Sequence, residues 1–229
     1  MQKFLITGTS SGIGFYLAKQ IAIKNKVIGL ARTNQFAHKN FTYINVDLSS
    51  ITNSTNIAKA LAKQQEDIDI IIVNAGFGMF KELEQFSGAQ IIELFNVNII
   101  SQIILLKYLL PNLRKRKNAK IIFMGSETAL LGAKKATIYA ATKFALRGFA
   151  QSLRAEVKKD NVAVTIINPG IVASDFYKNL AFTYVDEQEN KINIEDIFAL
   201  INLICQLDNN LVIDEINLTP MKKNIRYKK

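Results

Sequence analysis

The chain has 229 residues, about half of them hydrophobic, and 29 lysines and arginines against 19 acidic residues, for a net charge of +10 and a pI near 9.6. That length and apolar content suffice for one full core and exclude a chain disordered throughout. The single cysteine, Cys205, excludes an internal disulfide framework, so a reducing cytoplasm is the expected compartment.

The excess charge gathers at 114–117 with Lys120, and at 222–229. The first group falls where a helix is predicted to end, and cations there complement the helix dipole; the second reads as a solvated basic tail over 221–229, beyond a single domain of 1–220. Nucleic-acid and membrane partners are therefore not expected. Apolar runs such as 99–110, broken by Ser101, Gln102 and Lys107, fall short of a bilayer span, and the N-terminus leaves no room for a signal segment ahead of Phe4.

Residues 4–6 form a short apolar strand that enters Thr7-Gly8-Thr9-Ser10-Ser11-Gly12-Ile13-Gly14, and helical periodicity follows over 15–24. Strand, glycine turn and helix together suit a phosphate cradle. Glycines let the backbone approach a pyrophosphate, and the free N–H groups and dipole of the helix start favour its charge. A tight turn alone is the plain alternative.

A second strand, 27–31, is followed by Arg32, where a dinucleotide fold selects its cofactor. A carboxylate would grip the free ribose hydroxyls of NAD, whereas Arg pairs with the 2′-phosphate of NADP. No carboxylate stands there, so NADP(H) is expected over NAD(H), with a solvated loop Arg as the alternative. Asp47 ends the third strand, 41–46, ahead of Leu48, a place for either a turn cap or an adenine contact. After a helix over 53–66, the apolar run 68–73 reads as a parallel strand buried on both faces, emptying into Asn74-Ala75-Gly76.

A long helix over 88–116 carries Asn96-Val97-Asn98, and Asn98 in an apolar segment is the kind of local inconsistency that functional positions produce. The strand 119–125 ends at Ser126. Tyr139 and Lys143 then lie one turn apart on one face of a helix over 139–158. A phenol titrates near pH 10, and an ammonium about 4 Å away at an effective dielectric near 20 contributes about 4 kcal/mol, enough to bring it towards neutrality. The same spacing also occurs on solvated helix faces. A sixth strand, 162–167, leads to Asn168-Pro169-Gly170; the patternless 171–191 reads as a mobile substrate lid; helix 194–207 and strand 211–218 close the chain.

Strands alternating with helices predict an α/β fold, a Rossmann-like doubly wound sheet of about seven parallel strands with helices on both faces. The flagged positions fall at strand C-termini, where such sheets bind ligands.

On these residues the chain resembles the short-chain dehydrogenase/reductase superfamily over nearly its whole length. The resemblance rests on Thr7-Gly8 with Gly12-Ile13-Gly14, Asn74-Ala75-Gly76, Asn98, Ser126, Tyr139-xxx-Lys143 and Pro169-Gly170. It implies that Tyr139 is the general acid that protonates a carbonyl oxygen, and the base in reverse. Lys143 would lower its pKa and bind the nicotinamide ribose, Ser126 would orient the carbonyl, and Asn98 would position a relay water. The implied cofactor contacts are Gly8, Ser10, Ser11, Gly12, Ile13 and Gly14, then Arg32, with Asp47 and Leu48 at adenine and Asn74, Ala75 and Gly76 about the adenine ribose. Pro169, Gly170, Ile171, Val172 and Ser174 follow near the nicotinamide. Ser11 stands where some NADP-dependent relatives carry a second basic residue, so Arg32 would act without that helper. The expected activity is NADP-dependent interconversion of a ketone or aldehyde and its alcohol, on a small-molecule substrate, without a metal, in a homodimer or homotetramer. Two other readings remain: a regulator that binds NADP(H) without turnover, and a 3-oxoacyl carrier protein reductase using the basic surface.

Overall fold

Strands without a polar face must be covered on both sides, and β4 (Ile70–Val73), β5 (Lys120–Met124) and β6 (Ala163–Pro169) are buried at every position, as is β1 (Lys3–Thr7) beyond its first residue. The computed structural model describes residues 1–208 and 210–228; Lys229, the end of the predicted basic tail, lies outside them. With β2 (Lys26–Ala31), β3 (Phe41–Asn45) and β8 (Glu215–Leu218), these strands form a seven-stranded sheet in the order β3-β2-β1-β4-β5-β6-β8. Every pairing is parallel, in registers such as Leu5↔Ile28, Leu5↔Ile71 and Ile71↔Ile121.

One face is covered by α1 (Gly12–Ala22) and α6 (Ile194–Gln206), whose Leu17, Ile21, Ile197, Ile201 and Ile204 pack on Ile6, Ile70, Ile72 and Ile122. The other is covered by α2 (Ile51–Gln64), α4 (Ser101–Leu113) and α5 (Thr137–Val157), through Leu61, Leu105, Leu109, Leu146 and Leu153 against Leu5, Ile71, Ile121 and Phe123. The doubly wound expectation therefore holds. The winding reverses between β1 and β4, and the crevice of such a sheet opens at that reversal, beyond the strand C-termini.

The helix predicted over 88–116 is α3 (Gly88–Phe95) and α4 joined by a single π-helical turn, Asn96–Ile100. The composite runs 26 residues, Gly88–Leu113, with a mean hydropathy of 1.6 over its most apolar window, 39% of which is buried. By length and composition it reaches the size of a membrane span, which corrects the shorter apolar run read from 99–110. Polar residues inside that run do not break the helix, because Ser101 and Gln102 are buried and hydrogen-bonded to Val97 O.

The tail reading is corrected too. Residues 225–227 form β9 (Ile225–Tyr227), paired antiparallel with β7 (Phe182–Tyr184) of the segment predicted to be a patternless lid. The side chains of β9 are exposed, as a solvated tail would have them, but its main chain is committed to the lid. A three-residue strand flanked by lysines carries no period for sequence reasoning to find.

Candidate active site

The glycine turn is built by close approach. Gly14 packs so tightly on the turn that a Cβ there would lie 2.2 Å from Gly8 O and 2.4 Å from Asn74 Nδ2. Gly8 and Gly12 both take positive φ, 77° and 55°, which a side chain would strain. Asn74 ties the turn to the end of β4: its Nδ2 donates to Thr7 O (3.0 Å) and Gly8 O (3.3 Å). Thr7 is a part of this junction that the sequence motif only touched. Its Oγ1 accepts from Asn74 N (3.0 Å) and Ala75 N (2.9 Å) and reaches Gln102 Oε1 at 3.2 Å. The Asn74 side chain thus serves as a brace between two loops.

The π-helical turn accounts for Asn98. An extra residue in the turn rotates the amide inward, where it is fully buried. Its Oδ1 accepts from Phe77 N (3.0 Å), and its Nδ2 donates to Phe77 O (3.0 Å) and Thr142 Oγ1 (3.1 Å). Both amide hydrogens are committed, and Oδ1 keeps one lone pair. That oxygen and Lys143 Nζ both face Gly76, where a Cβ would lie 3.2 Å from the first and 3.6 Å from the second.

Tyr139 and Lys143 leave the same face of α5 and are both buried. Lys143 Nζ donates to Met124 O (3.0 Å) at the end of β5 and lies 5.8 Å from the centroid of the Tyr139 ring. Tyr139 shares a hydrogen bond with Ser126, whose Oγ also accepts from Thr128 N (3.2 Å). Burial pushes the phenol up to about 12, with the Ser126 hydrogen bond pulling it down and the Glu127 carboxylate pushing it further up. Burial likewise depresses Lys143 to about 8. Burial thus dominates both groups, and the phenol moves opposite to the direction expected from the pair alone.

Glu127 itself carried no sequence signal. It is paired with Lys223 (2.5 Å) just before β9, and its carboxylate stands over Gly170. Gly170 follows β6, with its N–H on Leu218 O (2.8 Å). Val172 is buried, and Ser174 comes within 3.8 Å of the Cβ position of Gly12, so the loop after β6 closes against the glycine turn. The catalytic candidates, the glycine turn and the loops after β4 and β6 therefore converge on one crevice.

Arg32, Asp47 and Leu48 lie at the far end of that edge, after β2 and β3. Arg32 is exposed, Leu48 is buried, and Asp47 accepts from Ser49 N (2.9 Å) and Ser49 Oγ (2.8 Å). Those bonds, aided by Arg32, hold its carboxyl below the usual range. Asp47 is thus a turn cap, and it also lines a hollow with Asn45, Val46 and Asn53.

A profile of the short chain dehydrogenases matches residues 2–184. The chain belongs to the short chain dehydrogenase family. Among short chain dehydrogenases it is 31% identical to human retinol dehydrogenase 8 over 187 residues, which cover 75% of this chain and 59% of that protein. It is 30% identical to the 3-oxoacyl-acyl-carrier-protein reductase of Buchnera aphidicola, covering 78% of this chain and 77% of that one. The chain therefore spans about three-fifths of the length of the retinol dehydrogenase. An alcohol dehydrogenase structure from Thermococcus sibiricus, complexed with 5-hydroxy-NADP, superimposes with a TM-score of 0.84 at 21% identity, covering 98% of this chain and 99% of that one, and shares its fold.

The short chain dehydrogenases use a nicotinamide cofactor, and the residues present fit one. The N-cap of α1, Ser11, makes no side-chain capping bond and the first turn has no acidic residue, whereas α2 and α3 are capped by Ser50 and Ser87. The α1 N–H groups thus remain available to a phosphate beside the open face of Gly12.

Proposed function

We propose that the protein is an oxidoreductase that interconverts a ketone or aldehyde and the corresponding alcohol, with NADP(H) preferred over NAD(H). The observation that carries this reading is the convergence of Tyr139, Ser126 and Lys143 beside the glycine turn. A bound nicotinamide would supply or accept the hydride, and with it two electrons. In reduction, Tyr139 transfers its proton to the carbonyl oxygen. With its pKa near 12, the phenol is fully protonated at neutral pH, and so is charged with the proton it must give. Ser126 hydrogen-bonds the phenol and orients the same carbonyl oxygen. The Lys143 ammonium, held on Met124 O, stabilises the phenolate left behind, and Oδ1 of Asn98 with Lys143 Nζ brackets a place for a water that returns a proton. Gly8, Ser10, Ser11, Gly12, Ile13 and Gly14 hold the pyrophosphate, Arg32 the 2′-phosphate, and the loop from Pro169 to Ser174 the nicotinamide end.

The test is oxidation of NADPH and NADH by the purified protein against ketones and aldehydes, in the parent and in Tyr139→Phe. The variant should lose roughly 100- to 10,000-fold in kcat, as removal of a general acid does, while NADPH binds within a few-fold of the parent. Near-normal turnover by the variant would defeat the assignment.

A further inference from the structure

Tyr139 lies under a roof of aromatic rings drawn from separate segments. Phe80, from the loop after β4, stands 5.3 Å from its ring at 52°, and Phe176, from the turn after β6, stands 5.9 Å away at 50°. Phe80 also meets Phe176 edge-on at 6.4 Å and Phe182 of β7 at 5.1 Å. Tyr177 extends the group to Phe182 and Tyr184. These rings belong to neither of the two core clusters, and each is partly exposed. They pack on one another above Tyr139, outside the two cores that hold the sheet.

Their arrangement and electrostatics limit what they can receive. Phe80 and Phe176 touch Tyr139 and each other, and Phe80 touches Phe182, all at 5.1–6.4 Å, so a substrate reaches the phenol by taking the place of one of these ring contacts, and a flat ring does so while restoring the face and edge contacts aromatic pairs prefer. Glu127 is the charged side chain that acts on the Tyr139 phenol, and Lys223 is already paired with it. A substrate carboxylate or phosphate beside the carbonyl would meet the Glu127 carboxylate, which favours an uncharged group there.

We infer that Phe80, Phe176 and Phe182 form a specificity-determining clamp for a neutral carbonyl compound whose carbonyl is attached to an aromatic or flat conjugated body. The clamp grips that body while the oxygen reaches Tyr139 and Ser126. This rests on the reading of Tyr139 as the proton donor. The reaction is the one proposed above: the carbonyl carbon gains a hydride from the reduced nicotinamide, the oxygen gains the phenol proton, and the nicotinamide is oxidised.

The experiment compares three methyl ketones matched in carbon count, acetophenone, cyclohexyl methyl ketone and 2-octanone, with the full chain and NADPH or NADH. The clamp predicts kcat/KM for acetophenone at least about tenfold above both others, since one good ring contact corresponds to roughly tenfold. The aryl-to-cyclohexyl ratio should collapse towards unity in Phe80→Leu, and also in Phe182→Leu, whose position outside both core clusters guards against a folding defect. Equal rates on the three ketones would overturn the clamp and leave the oxidoreductase reading intact. Should no ketone be turned over, calorimetric binding of acetophenone in the presence of NADP+ separates the two ideas. Binding that cyclohexyl methyl ketone does not match, and that Phe80→Leu weakens, supports the clamp's selection of a flat body and counts the missing turnover against the oxidoreductase reading alone; no binding overturns the clamp.

Discussion

Glu127, the residue after Ser126, is bridged to Lys223 at 2.5 Å, so the chain's C-terminal strand is fastened beside the candidate proton donor. The fastening is repeated along the ribbon. Val185 N donates to Asn224 O (3.1 Å), Asn224 N to Asn190 Oδ1 (3.1 Å), Lys228 N to Ala181 O (2.8 Å), and Lys222 pairs with Glu189. Such exposed pairs contribute little individually, and the ribbon lies outside the seven-stranded sheet, so its opening is expected to leave that sheet folded. Lys223→Ala should leave the global melting temperature within a few degrees while increasing amide exchange at Phe182–Tyr184 by severalfold. Unchanged protection there would show that the pair does not hold the lid.

Asn98 is the most constrained side chain of the site. Replacing it with Leu would leave Phe77 N–H and C=O without their partners in a fully buried setting, at roughly 1–3 kcal/mol for each group. Urea denaturation of Asn98→Leu should therefore show a loss of about 2–5 kcal/mol. Asn98→Asp should not rescue it, because a carboxylate oxygen would face Phe77 O and Thr142 Oγ1 where amide hydrogens stood. Wild-type stability in the Asp variant would mean that the bond from Nδ2 to Phe77 O contributes nothing.

The alternation of continuous apolar runs with amphipathic stretches was enough to give the seven parallel strands, because burial on both faces leaves a period that composition can carry. That the candidate residues come together was legible for a related reason: they sit at fixed offsets from strand ends and on one helix face. Two parts were not. The π-helical turn at Asn98 showed only as a misplaced amide, since i-to-i+5 bonding leaves no sequence period of its own. The segment 171–191 reads as a patternless lid, and its strand was not legible, because its order comes from contacts far along the chain, such as Lys223 on Glu127 and Asn224 on Asn190, which join residues with no local pattern. The direction of the Tyr139 shift failed for a third reason: it is set mainly by burial, and helix spacing reports only the neighbouring charge.

Lys143 gives the site a pH signature. Its folded pKa, near 8, lies below the lysine value of 10.5, so between about pH 8 and 10.5 the unfolded chain binds the additional proton. By linkage the lysine's contribution to stability rises with pH across that window. Below pH 8 the folded protein bears the cost of burying the charge, about 3 kcal/mol for a shift of this size. Lys143→Met, which keeps the length and removes the charge, should raise stability at pH 7 and flatten the pH dependence between 8 and 9 relative to the parent. Identical slopes in the two proteins would place the ammonium in contact with water.

Arg32 tests the choice of cofactor without touching the chemistry. It is exposed at the end of β2, its carbonyl is held by Asn45 Nδ2 (2.8 Å), and its charge acts on Asp47 at the end of the neighbouring strand. A guanidinium bound to a 2′-phosphate contributes a charge-assisted hydrogen bond of about 1.5–3 kcal/mol, and Ser11 supplies no second cation. Arg32→Ala should weaken NADPH binding by roughly 10- to 100-fold and leave NADH within about threefold. The NADPH affinity of the parent should fall more steeply with salt than that of the variant, because one phosphate contact has been lost. Equal losses for the two dinucleotides would separate Arg32 from the 2′-phosphate and return it to the role of a solvated loop residue.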